Sequence, residues 1–134
     1  MTDIQSLLIK HEALKLFVYK DTKGIDTIGV GRNLVNRGIS TEEAMMMLDN
    51  DIQYFTAQLR SVLPWFDSSP DKVKMVLLDM SFNLGITGLL NFKNTLHFIE
   101  IGDYKSAATA MLDSQWAKQV GTRATEDADI LKSI

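Results

Sequence analysis

The sequence predicts an α+β fold: a mostly helical chain with a small N-terminal β-hairpin lobe, joined by a long helix to an all-helical C-terminal lobe. Three observations carry this. Apolar spacing switches from helical to strand-like near Leu16 and back after Gly31, a helical three-and-four spacing runs unbroken from about 41 to 63, and every later apolar stretch keeps helical spacing.

The elements follow in order. Thr2 and Gln5 form a capping-box pair, and Ile4, Leu7 and Leu8 keep helical spacing, which predicts a helix from Asp3 to about Glu12. FVYKD is rich in aromatic and β-branched residues, and TKG leads into IDTIGV, so a hairpin is expected over 16–31. Gly24 would take the left-handed turn position, and Gly29 and Gly31 would let backbone segments come close. Ser40 and Glu43 open a second capping box, and the helix after it ends before Pro64; about 20 residues give ~30 Å, enough to join two lobes. The run Met45, Met46, Met47 is read as packing material. Ser69 and Pro70 read as N-cap and first helical residue of an apolar helix ending near Gly85. Shorter pieces follow at ITGLLNF and KNTLHFIEIG, then a longer one at DYKSAATAMLDSQWAKQVG. One domain over 1–134 is expected, with the hairpin lobe at about 12–40, the connecting helix at about 41–63, and the helical lobe at about 64–134 with helix 1 packed on it.

Composition narrows the function. Of 134 residues, 46% are hydrophobic and 23% charged, enough for a real core. Cysteine is absent, which removes thiolate chemistry and Cys-based zinc sites. A net charge of −3 argues against binding driven by neutralising nucleic-acid phosphates. MTDIQSLLIKHE lacks the basic start of a cleavable signal, and no apolar run is read as long enough to span a membrane, so a cytoplasmic protein is expected. His11 and His97 stand on different helices and make no metal pair, GVG lacks a dinucleotide fingerprint, and no G-x-S-x-G is present. Trp65, Trp116, Phe92 and Phe98 are read as core aromatics. Arg32 and Arg37 are read as solvated loop cations.

The stretch HEALKLFVYKDTKGIDTIGVGRN holds the chemistry. Glu12 and Asp21 would fall on opposite faces of one helix, but a helix that stops at Glu12 and doubles back through a hairpin aims both acids at one cleft, with Glu12 partly buried at the helix end. Two carboxylates with unequal protonation are what glycosidic hydrolysis uses, and Thr27 adds a hydroxyl able to orient water. On spacing alone, solvated surface acids remain the commoner explanation.

Pattern detail goes further. Glu12, Tyr19-Lys20-Asp21, Gly24 and Thr27-Ile28-Gly29-Val30-Gly31 resemble the signature of phage-type lysozymes, glycoside hydrolases that act as muramidases. TEEAMMMLDNDIQYFTAQLRSVLP is similar to that family's long connecting helix. Phe82, Gly85, Gly88, Phe92, Asn94, Thr95 and Leu96 match its F-x-x-G-x-x-G-x-x-x-F-x-N-[ST]-L segment in order, and Arg123-Ala124 matches its R-A pair. The resemblance implies Glu12 as general acid, Asp21 as the carboxylate that activates water or supports positive charge, and Thr27 as the water-orienting hydroxyl. It further implies saccharide contacts at Asn33, Phe82, Thr95 and Ala110, and Arg123 as charge partner of Glu12. It implies no cofactor and no metal; the partner is bacterial peptidoglycan, with no nucleic acid and no stable membrane insertion, and the protein is a monomer. As an endolysin it would accumulate in the host cytoplasm and act on the wall after membrane permeabilisation. Two departures stand out: only LVNRGIS joins hairpin and long helix, and TEDADILKSI puts Glu126 where the family often has arginine. A lytic transglycosylase, a trimmed variant, and a catalytically silent wall-binding or virion-structural module remain open.

Overall fold

The computed structural model describes residues 1–134, and the chain divides into two units, Met1–Leu48 and Asp49–Ile134. In the first, α1 (Asp3–Glu12) opens on the expected capping box: Thr2 Oγ1 accepts the Gln5 N–H and Gln5 Oε1 accepts the Thr2 N–H. It ends immediately after Glu12 because Ala13 leaves the helix at φ 66, ψ 165, while the Ala13 N–H still closes onto the Ile9 carbonyl at 2.8 Å. Strands β1 (Lys15–Lys20), β2 (Asp26–Gly29) and β3 (Arg32–Asn33) form an antiparallel sheet in that order, one strand more than the expected hairpin.

Between the pairs Lys15 with Gly29 and Tyr19 with Thr27 the register shifts, so Leu16, Phe17 and Val18 stand opposite Ile28 alone. Such a bulge bends the strand away from its partner, and all three side chains are exposed. Thr27 is the one buried residue of this unit.

Helix α2 (Thr41–Val62) begins in the first unit and ends in the second. Its capping box is present: the Glu43 N–H donates to Ser40 Oγ at 3.1 Å and the Ser40 N–H to Glu43 Oε1 at 2.9 Å. Met45, Met46 and Met47 are exposed rather than packed. Three consecutive helical positions are 100° apart in turn, so one core-facing stripe cannot take all of them.

The second unit holds α3 (Asp71–Leu90), α4 (Lys93–Glu100), α5 (Tyr104–Leu112), α6 (Gln115–Val120) and α7 (Thr122–Lys132). Leu59, Phe66, Val73, Val76, Leu77, Met80, Met111 and Leu131 are among the side chains that make its core. Each such residue contributes ~1.5–3 kcal/mol on burial. The first unit has no comparable cluster.

Four sequence readings need correction here. Helix α3 starts at Asp71 with Pro70 at the N-cap and no side-chain cap, because the Ser69 hydroxyl donates to the Trp65 carbonyl instead. At 20 residues α3 is long and apolar enough to cross a membrane, which the sequence reading missed; here it breaks at Gly85 (φ 71) and sends six residues into the core. The stretch 103–121 is two helices, since Ser114 caps α6 by accepting the Ala117 N–H at 3.1 Å. Arg32 is no free loop cation: it binds both carboxylate oxygens of Glu43, at 2.9 and 2.7 Å, and donates to the Gly38 carbonyl.

Candidate active site

The hairpin loop gathers the chemistry of the first unit. Asp21 Oδ1 accepts the Lys23 N–H at 2.8 Å and the Ile25 N–H at 2.9 Å, an Asx-type turn that also uses the Gly24 N–H on the Asp21 carbonyl. Gly24, at φ 77, supplies the left-handed position this turn needs. Asp21 Oδ2 makes no hydrogen bond within the loop. The Thr27 hydroxyl donates its single proton to the Ile25 carbonyl at 2.8 Å. Both groups are therefore tied to one residue, Ile25, through its N–H and its C=O. Thr27 Oγ1 retains acceptor capacity only.

Glu12 lies against a different turn, the one between β2 and β3. It is exposed, not partly buried as expected, and its side chain lies against Gly31: a Cβ built on Gly31 would fall 2.8 Å from Glu12 Oε2. Gly29, which the sequence grouped with Gly31, has open space at the same point. Arg32 and the Ser40 groups hold the Glu43 carboxyl down at about 2, so this ion pair anchors the β3–α2 connection over the ordinary pH range. Asn33 pairs with Thr27 across β2 and β3, and its Oδ1 is taken by the Asn36 N–H at 2.9 Å.

In the second unit, Thr95 and Ala110 line one groove of about 780 Å³, together with Phe92, Phe98, Asn94 and Trp116. Trp116 is buried and donates Nε1–H to Asn83 Oδ1 at 2.7 Å, as befits a core aromatic that also floors a groove. Phe82 is not part of that groove; its half-exposed ring packs on Phe55 at 4.8 Å between centroids.

Arg123 pairs with a carboxylate of its own unit, one that the sequence does not single out. Its Nε and Nη2 reach Asp79 at 3.0 and 2.8 Å, and Nη2 also takes the Asp79 carbonyl at 2.9 Å. Packing of α7 on α3 brings Asp79 into that reach, so within the helical unit the guanidinium is paired with Asp79. Asp127, one helical turn after Arg123, is buried with Oδ2 lacking any partner. Burial first, then the neighbouring Asp79, push the Asp127 carboxyl up to about 8, while Arg123 holds Asp79 below the usual carboxylate range. The sequence reading missed this trio; the four-residue step from Arg123 to Asp127 was visible, but nothing local points to Asp79.

The family described as Phage lysozyme matches residues 9–127. The chain belongs to the phage lysozyme family. Two relatives from Dictyostelium discoideum, the probable T4-type lysozymes 1 and 2, are 26% and 25% identical, and each alignment covers 99% of this chain and 95% of the relative. A pre-baseplate central spike protein of Enterobacteria phage T4 is 26% identical over 89% of this chain, which corresponds to 26% of that longer protein. As a phage lysozyme, the chain has the α+β fold that its sequence predicts: a small three-stranded sheet near the N-terminus and a helical C-terminal part.

Proposed function

We propose that this phage lysozyme is an endolysin that hydrolyses the β-1,4 bond between N-acetylmuramic acid and N-acetylglucosamine in bacterial peptidoglycan, reaching the wall from the host cytoplasm once the membrane is permeabilised. Glu12 is the general acid that protonates the glycosidic oxygen. A water donates one proton to Thr27 Oγ1 and the other to Asp21 Oδ2, which turns its lone pair toward the anomeric carbon. Asp21 then takes the proton as that bond forms, an inverting route. The Thr95–Ala110 groove, Phe82 and the Nδ2 of Asn33 offer saccharide contacts. The observation that supports this reading most is the double attachment of Asp21 and Thr27 to Ile25, which leaves one free carboxylate oxygen and one hydroxyl acceptor on the same short loop.

A second reading rests on the match to the spike protein: a catalytically silent peptidoglycan-binding or virion-structural lysozyme-fold module. Mass spectrometry of purified peptidoglycan treated with wild type and Glu12→Gln separates the two. Muropeptides with hydrolysed reducing ends from wild type and none from the variant support the endolysin. Anhydro-sugar ends indicate a transglycosylase, and wall binding without release from wild type indicates the silent module.

A further inference from the structure

Gly31 carries two features that no other glycine of the chain combines. Its backbone is left-handed, at φ 65, and the place its Cβ would occupy is filled by the Glu12 side chain: Oε2 at 2.8 Å, with Cδ and Cγ each at 3.1 Å. Gly24, Gly29, Gly85, Gly102 and Gly121 also have positive φ, yet a Cβ on any of them meets nothing within 4 Å. Backbone conformation therefore explains those five glycines by itself. At Gly31 it explains only half.

The Glu12 carboxylate makes no hydrogen bond or ion pair within residues 1–48, so no polar partner there fixes it. Its stem leaves the last residue of α1, just before the sharp turn at Ala13, and its far end occupies the space a Gly31 Cβ would take. We infer that Gly31 is a positioning residue for Glu12: the absent Cβ is the seat that sets where the carboxyl group stands. This rests on Glu12 acting as the acid of the proposed reaction. A methyl group at Gly31 would have to drive Oε2 back by at least ~0.6 Å to restore ordinary contact, which exceeds the ~0.5 Å within which a catalytic group must be held. Because a general acid acts as the leaving oxygen gains its proton, such a displacement lowers kcat and leaves KM little changed.

The neighbouring turn supplies its own control. Gly29 has φ 70, so Gly29→Ala and Gly31→Ala impose the same backbone strain on the same turn, and only the second puts an atom against Glu12. Steady-state muropeptide release is measured for both, alongside the carbon-13 resonance of the Glu12 carboxyl in selectively labelled full-length protein. Gly31→Ala is expected to lower kcat at least tenfold below Gly29→Ala at similar KM and to move the Glu12 resonance, which Gly29→Ala leaves in place. If Gly31→Ala fails to fold, Gly31→Asn, which tolerates positive φ but still carries a Cβ, takes its place. Equal kcat losses in the two variants, or an unmoved Glu12 resonance, overturn the inference. Should wild type release no muropeptides, the proposed reaction falls, and the resonance alone then decides whether Gly31 seats Glu12.

Discussion

Asp21 and Ile25 bond each other twice: Asp21 Oδ1 accepts the Ile25 N–H at 2.9 Å, and the Ile25 carbonyl accepts the Asp21 N–H at 3.0 Å. One side chain thus shapes the loop with one oxygen and keeps the other free. Structure and chemistry can be separated by substitution. Asn at position 21 keeps the Oδ1 acceptor and loses the charge, so Asp21→Asn should fold as wild type and lose roughly 100- to 10,000-fold in activity. Asp21→Ala loses both and leaves two amides without their acceptor, so it should also unfold at lower urea. Paired circular-dichroism melts and muropeptide assays check this; an Asn variant as unstable as the Ala variant would contradict the division of labour.

Thr27 Oγ1 spends its proton on the Ile25 carbonyl, and only its lone pairs remain for water. Valine has nearly the same shape without the oxygen. The Ile25 carbonyl keeps its second donor, the Asp21 N–H, so Thr27→Val should cost no more than ~1 kcal/mol of stability. Loss of the acceptor should lower kcat roughly 100-fold, while Thr27→Ser restores most of it. Equal kcat for the Val and Ser variants would remove Thr27 from the reaction.

Ala13 is the single non-glycine residue with positive φ, and it sits directly after the proposed acid. A conformation of this kind costs ~1–3 kcal/mol in a residue with a Cβ and little in glycine. Ala13→Gly should therefore raise the urea midpoint by relieving strain, an increment partly offset by the larger chain entropy of glycine when unfolded. Activity should fall or stay level rather than rise, since the freer joint holds Glu12 less firmly. A lowered midpoint would mean that Ala13 is not strained.

Local chemistry was legible in the sequence, and distant chemistry was not. Both capping boxes, the Gly24 turn and the stop at Glu12 are set by residues within four positions of one another, so spacing alone exposes them. Arg32 to Glu43 spans eleven positions and Arg123 to Asp79 spans forty-four; nothing near an arginine says which of several acids it will meet. Thus the resemblance points Arg123 to Glu12, while its partner inside the helical unit, Asp79, comes from packing of α3 on α7. Ser114 is a residue type that favours N-caps, but the continuous apolar spacing around it masked the break, and its bond from the Ala117 N–H belongs to the folded chain. For the site, residue identities came from the motif. The Ile25 attachment and the Gly31 seat depend on how the folded chain places its atoms, which no local pattern displays.

Asp127 gives the helical unit a pH dependence whose sign follows from its surroundings. Buried beside an Asp79 that Arg123 keeps ionised, it holds its proton up to about pH 8, whereas in the unfolded chain it releases it near 3.9. Between those values the folded state binds one more proton than the unfolded state. Stability is then fully present below about pH 4 and lost as pH rises through about 8, at up to ~1.4 kcal/mol per pH unit. Asp79 and Glu43 work in the opposite sense: their carboxyls are lowered in the folded state, so their contributions hold above the normal carboxylate range and fade as pH falls through it. Asp127→Asn keeps a neutral side chain of nearly the same shape beside Asp79 and removes the titration. Urea unfolding at pH 5 and pH 8.5 should show wild type losing stability over that interval and the Asn variant losing much less, so that the variant is the more stable protein at the higher pH. Parallel losses in the two proteins would place the proton elsewhere.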